Sequence, residues 1–359
     1  MHRFDTIEAW RLRLPLETPY RLAFGSVEAL DTVVVRLRSS AAGAEGFGEA
    51  TLLTGYTDET IHGTWCKVGE LLEAARSPDF DFFAALDCLD ATHPFLTTAF
   101  RTAAEMASGS PRLALDAPAR VPILGLLQGD TPARLEAEVE SLLGRGYRTL
   151  KVKVGFDAAR DAQAVAAAQR AVAGRAGLRI DANQGFDAAQ AIDFVSRLTP
   201  ESIELFEQPC AAGDWAAHAA VVPVARERGI ALMLDESIYT EREIERAAAL
   251  GAAAFIKVKL MKFCSLERLE AAIGRIRALG LEAVLGNGVA TDLGCWMEAC
   301  VAARHIGNAG EMNGFLKPHA RLLADPLVFR DGAIELPARW RPSVDRDALD
   351  DLAQQSIRA

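Results

Sequence analysis

Five side chains with chemistry to offer recur at near-constant spacing: Lys153, Asp181, Glu207, Asp235 and Lys259, with steps of 28, 26, 28 and 24 residues. Each stands at or near the end of a short apolar run, in TLKVKVG, GLRIDAN, IELFEQP, ALMLDES and AFIKVKL. Three carboxylates brought within a few ångström repel one another, and the arrangement is costly unless a cation sits between them. Hard oxygen donors suit Mg²⁺, or Mn²⁺ in its place, and leave positions open for water or substrate. A lysine inside an apolar strand is pushed toward its neutral form by desolvation and by nearby cations, and a neutral lysine is a usable general base. The five residues therefore read as a cation site (Asp181, Glu207, Asp235) flanked by two acid/base lysines (Lys153, Lys259).

Such a set works only if the fold brings it together. From Val121 onward, apolar runs alternate with alanine-rich amphipathic stretches such as DAARDAQAVAAAQRAVAG and SLERLEAAIGRIRALG. The runs are VPILGLL, the five above, EAVLGNG and AGEMNGFL. Eight short strands separated by helices predict an α/β fold, a TIM-like (β/α)7β barrel over residues 119–334. One βα unit takes about the observed step, so the five groups fall at one height, at the mouth where the strands end. An open doubly wound sheet is the alternative, but no GxGxxG follows the first strand. Side-chain parity turns Lys151 inward with Lys153, and Lys257 with Lys259, as supporting charges one step deeper.

Residues 1–118 have a different texture. RLRLPL and DTVVVRLR read as antiparallel strands, GAEGFGEA as a glycine-rich turn, and the stretch from about Asp58 to Gly109 as helices. Strands followed by a block of helices predict a separate α+β capping domain. The polar segment 335–359 is expected to pack back on it.

At this point a family resemblance becomes specific. KVKVG, DANQG, FEQP, LDES and FIKVKLMK, in order, resemble the strand motifs of the muconate-lactonizing (lysine–lysine) subgroup of the enolase superfamily. PLETPYRLAFGSVEALDTVVVRL and LLTGYTDET resemble that family's capping region. The resemblance implies that Asp181, Glu207 and Asp235 bind Mg²⁺ and that Lys153 and Lys259 face each other across the substrate. It implies removal of the proton α to a substrate carboxylate through an enediolate, the chemistry associated with this superfamily. Two opposed lysines imply racemisation or epimerisation of an amino-acid-like or other carboxylate. Syn β-elimination or cycloisomerisation by the same pair is the alternative.

Supporting roles go to Asn183, two residues past Asp181, to Glu236 beside Asp235, and to Glu311 in the eighth strand. For substrate contact the expectation is Tyr20 and Phe24 on one capping loop, Tyr56 on a second, Asn287 after the seventh strand, and Lys317 just past the eighth. Two departures narrow the reading. The segment LGNGVATDLG lacks the catalytic histidine of the mandelate racemase branch. GEMNGFLKPH lacks the Asp-x-Asp pattern with which dipeptide epimerases grip an amino group.

Composition limits the partners. A net charge of −10 argues against nucleic acid or anionic membrane, both of which need a cationic surface. No run of about 18 apolar residues and no signal-like core appear, so a cytoplasmic location is expected. The expected partners are a small-molecule carboxylate and further copies of the chain. The six cysteines form no CxxC pair and are read as reduced, mostly buried thiols. No HExxH or HxH supports a zinc hydrolase. A Schiff-base aldolase also uses a barrel lysine but needs no carboxylate triad.

Overall fold

The computed structural model describes residues 4–22, 25–53 and 58–359. The chain opens with an antiparallel cap: β1 (Thr6–Leu22), β2 (Gly25–Ser39) and β3 (Ala44–Leu52), followed by α1 (Ile61–Ala74), α2 (Phe82–Leu89) and α3 (Pro94–Ala107). The continuous apolar run in β2 reflects burial on both faces, as expected of a covered strand. Val33, Val35 and Leu37 pack with Leu71, Leu72, Phe95 and Phe100 of the helices. Val34 turns the other way and joins Trp10 and Leu12 in the core shared with the barrel.

GAEGFGEA differs from its expected role as a turn, because residues 44–52 form β3. Gly46 and Gly48 are there for close approach rather than for turning: a Cβ on Gly48 would lie 2.0 Å from Ala99 O of α3, and one on Gly46 would lie 2.1 Å from Ala103 O.

The barrel then alternates strand and helix. β4 (Ala119–Pro122) and β5 (Gly125–Leu127) lead into α4 (Pro132–Gly144), β6 (Thr149–Lys153), α5 (Ala158–Val172), β7 (Gly177–Asp181) and α6 (Ala188–Arg197). Next come β8 (Ile203–Glu207), α7 (Trp215–Glu227), β9 (Leu232–Leu234), α8 (Glu241–Leu250) and β10 (Phe255–Val258). The short α9 (Leu260–Phe263), α10 (Leu266–Ala278), β11 (Glu282–Leu285) and α11 (Asp292–His305) complete it. Strands β5 to β11 form one parallel sheet in sequence order.

The expected first strand, VPILGLL, is divided. β4 pairs antiparallel with β13 (Ala333–Leu336), which also pairs with β12 (Val328–Arg330), and only β5 belongs to the parallel sheet. The eighth position is likewise irregular. Gly310 N donates to Pro122 O at 2.9 Å, Leu124 N to Gly310 O at 2.9 Å, and Glu311 N to Leu285 O at 3.0 Å. These bonds join the segment to both neighbours and close the ring. After α12 (Arg346–Leu352), β14 (Ala353–Arg358) adds to the sheet beside β1.

Candidate active site

Strand register sets the site. Lys153 is level with Asp181, and Asp181 with Glu207, each being the last residue of its strand. Asp235 and Lys259 come one residue after β9 and β10. Lys259 retains an extended backbone and is the N-cap of α9. The five expected groups therefore gather at one end of the barrel.

Lysines and acids interleave there. The Lys151 ammonium lies 2.7 Å from Asp181, 2.8 Å from Glu207 and 2.9 Å from Glu311. Lys257 stands 3.0 Å from Glu207, 3.9 Å from Asp235, and in contact with Glu311. Lys153 reaches Asp181 Oδ2 at 2.6 Å, and Lys259 reaches Asp235 Oδ2 at 2.7 Å. The two outer lysines differ in exposure: the Lys153 side chain is 22% exposed and that of Lys259 only 2%.

Burial alone would raise Asp181, but Lys151, Lys153 and Lys257 hold it down at about 2. Asp235 is well below the usual carboxylate range, since Lys259, Lys262 and Lys257 outweigh its burial. Glu207 goes the other way, raised by burial and by Asp181 beside it. Burial, with Lys262 and Lys257 nearby, lowers Lys259 to about 8 against the pull of Asp235.

The residues present fit a divalent cation. The donors are buried carboxylate oxygens, and burial together with the neighbouring Asp181 and Asp235 raises Glu207, a crowding of acids that a cation would relieve. Among the described residues no three His, Cys, Asp or Glu side chains already stand as an ion would need them. The lysine ammoniums engage the acids instead.

Asn183 lies in the left-handed region at φ 41, which asparagine tolerates, and its side chain joins the two halves of the site. Its Oδ1 accepts from Lys153 at 2.5 Å and its Nδ2 donates to Glu236 Oε1 at 3.0 Å. Asn287 turns its carboxamide oxygen to Val289 N at 2.9 Å. Lys317 donates to Gly288 O and, at 3.1 Å, to Asn313 Oδ1. Burial, with Lys153 and Lys151 nearby, lowers it to about 8 against Glu311. Phe24 and Tyr56 lie outside the described residues, as does the side chain of Tyr20.

Sequence reasoning missed two residues. Lys262, wholly buried, donates to Asp235 Oδ1 at 2.9 Å and to Asp235 O at 2.6 Å, and packs over the Tyr239 ring. Its position three residues after Lys259, hence on the same face of a following helical turn, was the available signal. Gln208 Oε1 accepts from Asp235 N at 2.9 Å and Ser237 N at 3.2 Å, bracing the loop that carries Asp235.

Residues 134–342 match the family model described as enolase C-terminal domain-like. The chain belongs to the enolase superfamily. An aromatic dipeptide epimerase of Herpetosiphon aurantiacus in this superfamily is 31% identical, over 85% of this chain and 87% of its own. The fold is also that of N-succinyl Arg/Lys racemase from Bacillus cereus, with TM-score 0.87 and 23% identity over 99% of this chain and 100% of that one. A dipeptide epimerase from Cytophaga hutchinsonii, complexed with Mg and the dipeptide D-Ala-L-Val, aligns with TM-score 0.84 and 21% identity over 99% of each chain. Enolase superfamily enzymes use a divalent metal.

Proposed function

We propose that this protein racemises or epimerises an amino-acid-like carboxylate by moving the α-proton between two lysines. One observation carries the reading. Lys153 ends β6 and Lys259 follows β10, on opposite sides of the ring, and each ammonium touches a different acid of one carboxylate cluster. Asp181, Glu207 and Asp235 are the residues to hold Mg²⁺, the ion in the Cytophaga dipeptide epimerase. When bound, that ion stabilises the negative charge a substrate carboxylate gains as its α-proton leaves.

The chain's own groups do the rest. Lys259 takes or returns the proton on one face of the α-carbon, and Lys153 does so on the other. Asn183 orients Lys153 through its Oδ1. Lys151, Lys257 and Glu311 form the charged floor beneath. Asn287 and Lys317 meet the remainder of the substrate, and Tyr20, Phe24 and Tyr56 are the further residues proposed for substrate contact.

The similarity to dipeptide epimerases supports a 1,1-proton transfer. The absence of Asp-x-Asp at the eighth strand, where Glu311 and Asn313 stand, favours an N-acyl amino acid over a free amino terminus. The unequal exposure of Lys153 and Lys259 favours a second reading, in which one lysine is the base and the other gives electrostatic support to elimination or cycloisomerisation. Incubating racemic N-acyl amino acids, dipeptides and lactones with Mg²⁺ in D₂O tests both. Label entering both enantiomers supports the first reading, and a new alkene or lactone supports the second.

A further inference from the structure

The chain turns sharply at the end of β8. Gln208, the residue after Glu207, lies in the left-handed region at φ 38. A residue with a Cβ keeps that conformation only where its surroundings over-determine it. Here the surroundings are hydrogen-bonding groups packed around a wholly buried carboxamide. Its Oε1 faces the amides of Asp235 and Ser237, which can only donate. Its Nε2 therefore faces the other way, toward Cys210 O at 2.9 Å, Ser237 Oγ at 2.8 Å and His218 Nε2 at 3.2 Å. Ser237 Oγ is in turn 3.3 Å from His218 Nε2. His218 projects from α7 and is as fully buried as Gln208.

The supply of protons fixes the roles. A glutamine amide has two N–H groups. One goes to Cys210 O, which can only accept, and the other to Ser237 Oγ, the nearer of the two remaining atoms. The Ser237 hydroxyl proton then has His218 Nε2 as its acceptor among the described residues, provided that nitrogen is bare. A proton on Nε2 would point the ring at the Gln208 NH₂ group and leave the buried hydroxyl proton without an acceptor, which is costly. Burial lowers the imidazole from its ordinary value against the Ala211 backbone and Asp214, which favours the neutral ring.

We propose that His218 is a positioning residue for the cation site: its bare Nε2 fixes the Ser237 hydroxyl, the hydroxyl fixes the Gln208 carboxamide, and the carboxamide oxygen holds the loop that carries Asp235. The inference rests on Asp235 being a ligand of the divalent cation. A carboxamide can turn over, because its oxygen and nitrogen are nearly the same size. With the Ser237 proton committed to His218, a turned carboxamide would set its oxygen against the lone pairs of Ser237 Oγ and Cys210 O. Without the imidazole, the hydroxyl is free to donate to that oxygen, and the turned form then opposes N–H to N–H at Asp235.

The test combines ¹⁵N NMR of the histidine rings, which shows the tautomer with no ion or substrate present, with Mn²⁺ titration calorimetry on the full chain. Near neutral pH, wild type should show a neutral His218 ring protonated on Nδ1, its signals identified by their loss in His218→Gln. His218→Leu removes the acceptor and should weaken Mn²⁺ binding by about 10–100-fold, the range for contacts that orient a metal ligand. His218→Gln, whose side-chain oxygen reaches the place of Nε2, should recover most of that loss. If His218→Leu does not fold, Ser237→Ala breaks the same relay with the ring in place and should show the same loss. A merely structural role gives the opposite pattern: both His218 variants melt at a lower temperature and bind Mn²⁺ as wild type does. A proton on Nε2, or wild-type Mn²⁺ affinity in the folded relay variant, overturns the proposal. Failure of wild type to bind Mn²⁺ overturns the cation reading instead, and the tautomer still decides whether His218 holds the Gln208 carboxamide.

Discussion

Lys259 and Asp235 form a buried ion pair, 2.7 Å from Nζ to Oδ2, with neither side chain more than 2% exposed. The other oxygen of the same carboxylate is held at 2.9 Å by Lys262. Asp235 is thus oriented from both sides before any ion or substrate arrives. Lys262→Met keeps the length of the side chain and removes its charge. Supporting contacts of this kind are worth about 10–100-fold in metal affinity. The variant should show a loss of that size when Mn²⁺ is titrated by calorimetry, and wild-type affinity would rule out the orienting role.

The three carboxylates make a separate prediction. Asp181→Asn, Glu207→Gln and Asp235→Asn should each lower turnover by about 10²-fold or more, since each removes a charged donor from the proposed ion. Added Mg²⁺ should raise the melting temperature of wild type, because a ligand that binds only the folded state stabilises it, and should fail to do so in the variants. EDTA should abolish activity and Mg²⁺ restore it. Full activity after exhaustive chelation contradicts the assignment.

A third prediction concerns pH and lies where cap meets barrel. Glu49 of β3 accepts from Thr291 N at 2.8 Å and from Thr291 Oγ1, at the start of α11. Two turns along that helix, Glu298 Oε1 accepts from Leu260 N at 2.9 Å, next to Lys259. Burial raises both carboxyls to about 7 from an ordinary 4.5. A carboxyl raised in the folded state contributes stability that is full below about pH 4.5 and is lost as pH climbs through about 7. Each shift is worth on the order of 3 kcal/mol. Urea denaturation should therefore show stability falling between about pH 5 and 7.5, and Glu49→Gln should flatten the fall. An equal slope in both proteins sinks this account.

Much of this was legible in the sequence, and the reasons are local. The βα repeat places one residue per unit at the mouth, so Lys153, Asp181, Glu207, Asp235 and Lys259 could be read from spacing alone. Gly46 and Gly48 could not, because a glycine that admits a helix looks the same in sequence as one that turns the chain. The eighth strand was legible as a position but not as a conformation: Gly310 and Glu311 bond to both neighbours without forming a regular strand. Gln208 and Lys262 were missed because their partners, Asp235 and its loop, lie 27 residues away in each direction. Buried long-range hydrogen bonds leave no periodic trace.

The central claim is that two lysines serve opposite faces of one α-carbon. It is tested most directly by following α-proton exchange by NMR in D₂O with Mg²⁺, for each enantiomer of a turned-over substrate, in wild type, Lys153→Ala and Lys259→Ala. Wild type should exchange both enantiomers. Each variant should lose exchange of one enantiomer by about 10²–10⁴-fold, the contribution of a positioned acid/base group, and retain some exchange of the other, with the two variants opposite in preference. If both variants lose the same enantiomer, or only one lysine is needed for any exchange, the two-base account is contradicted and a one-base elimination or cycloisomerisation takes its place.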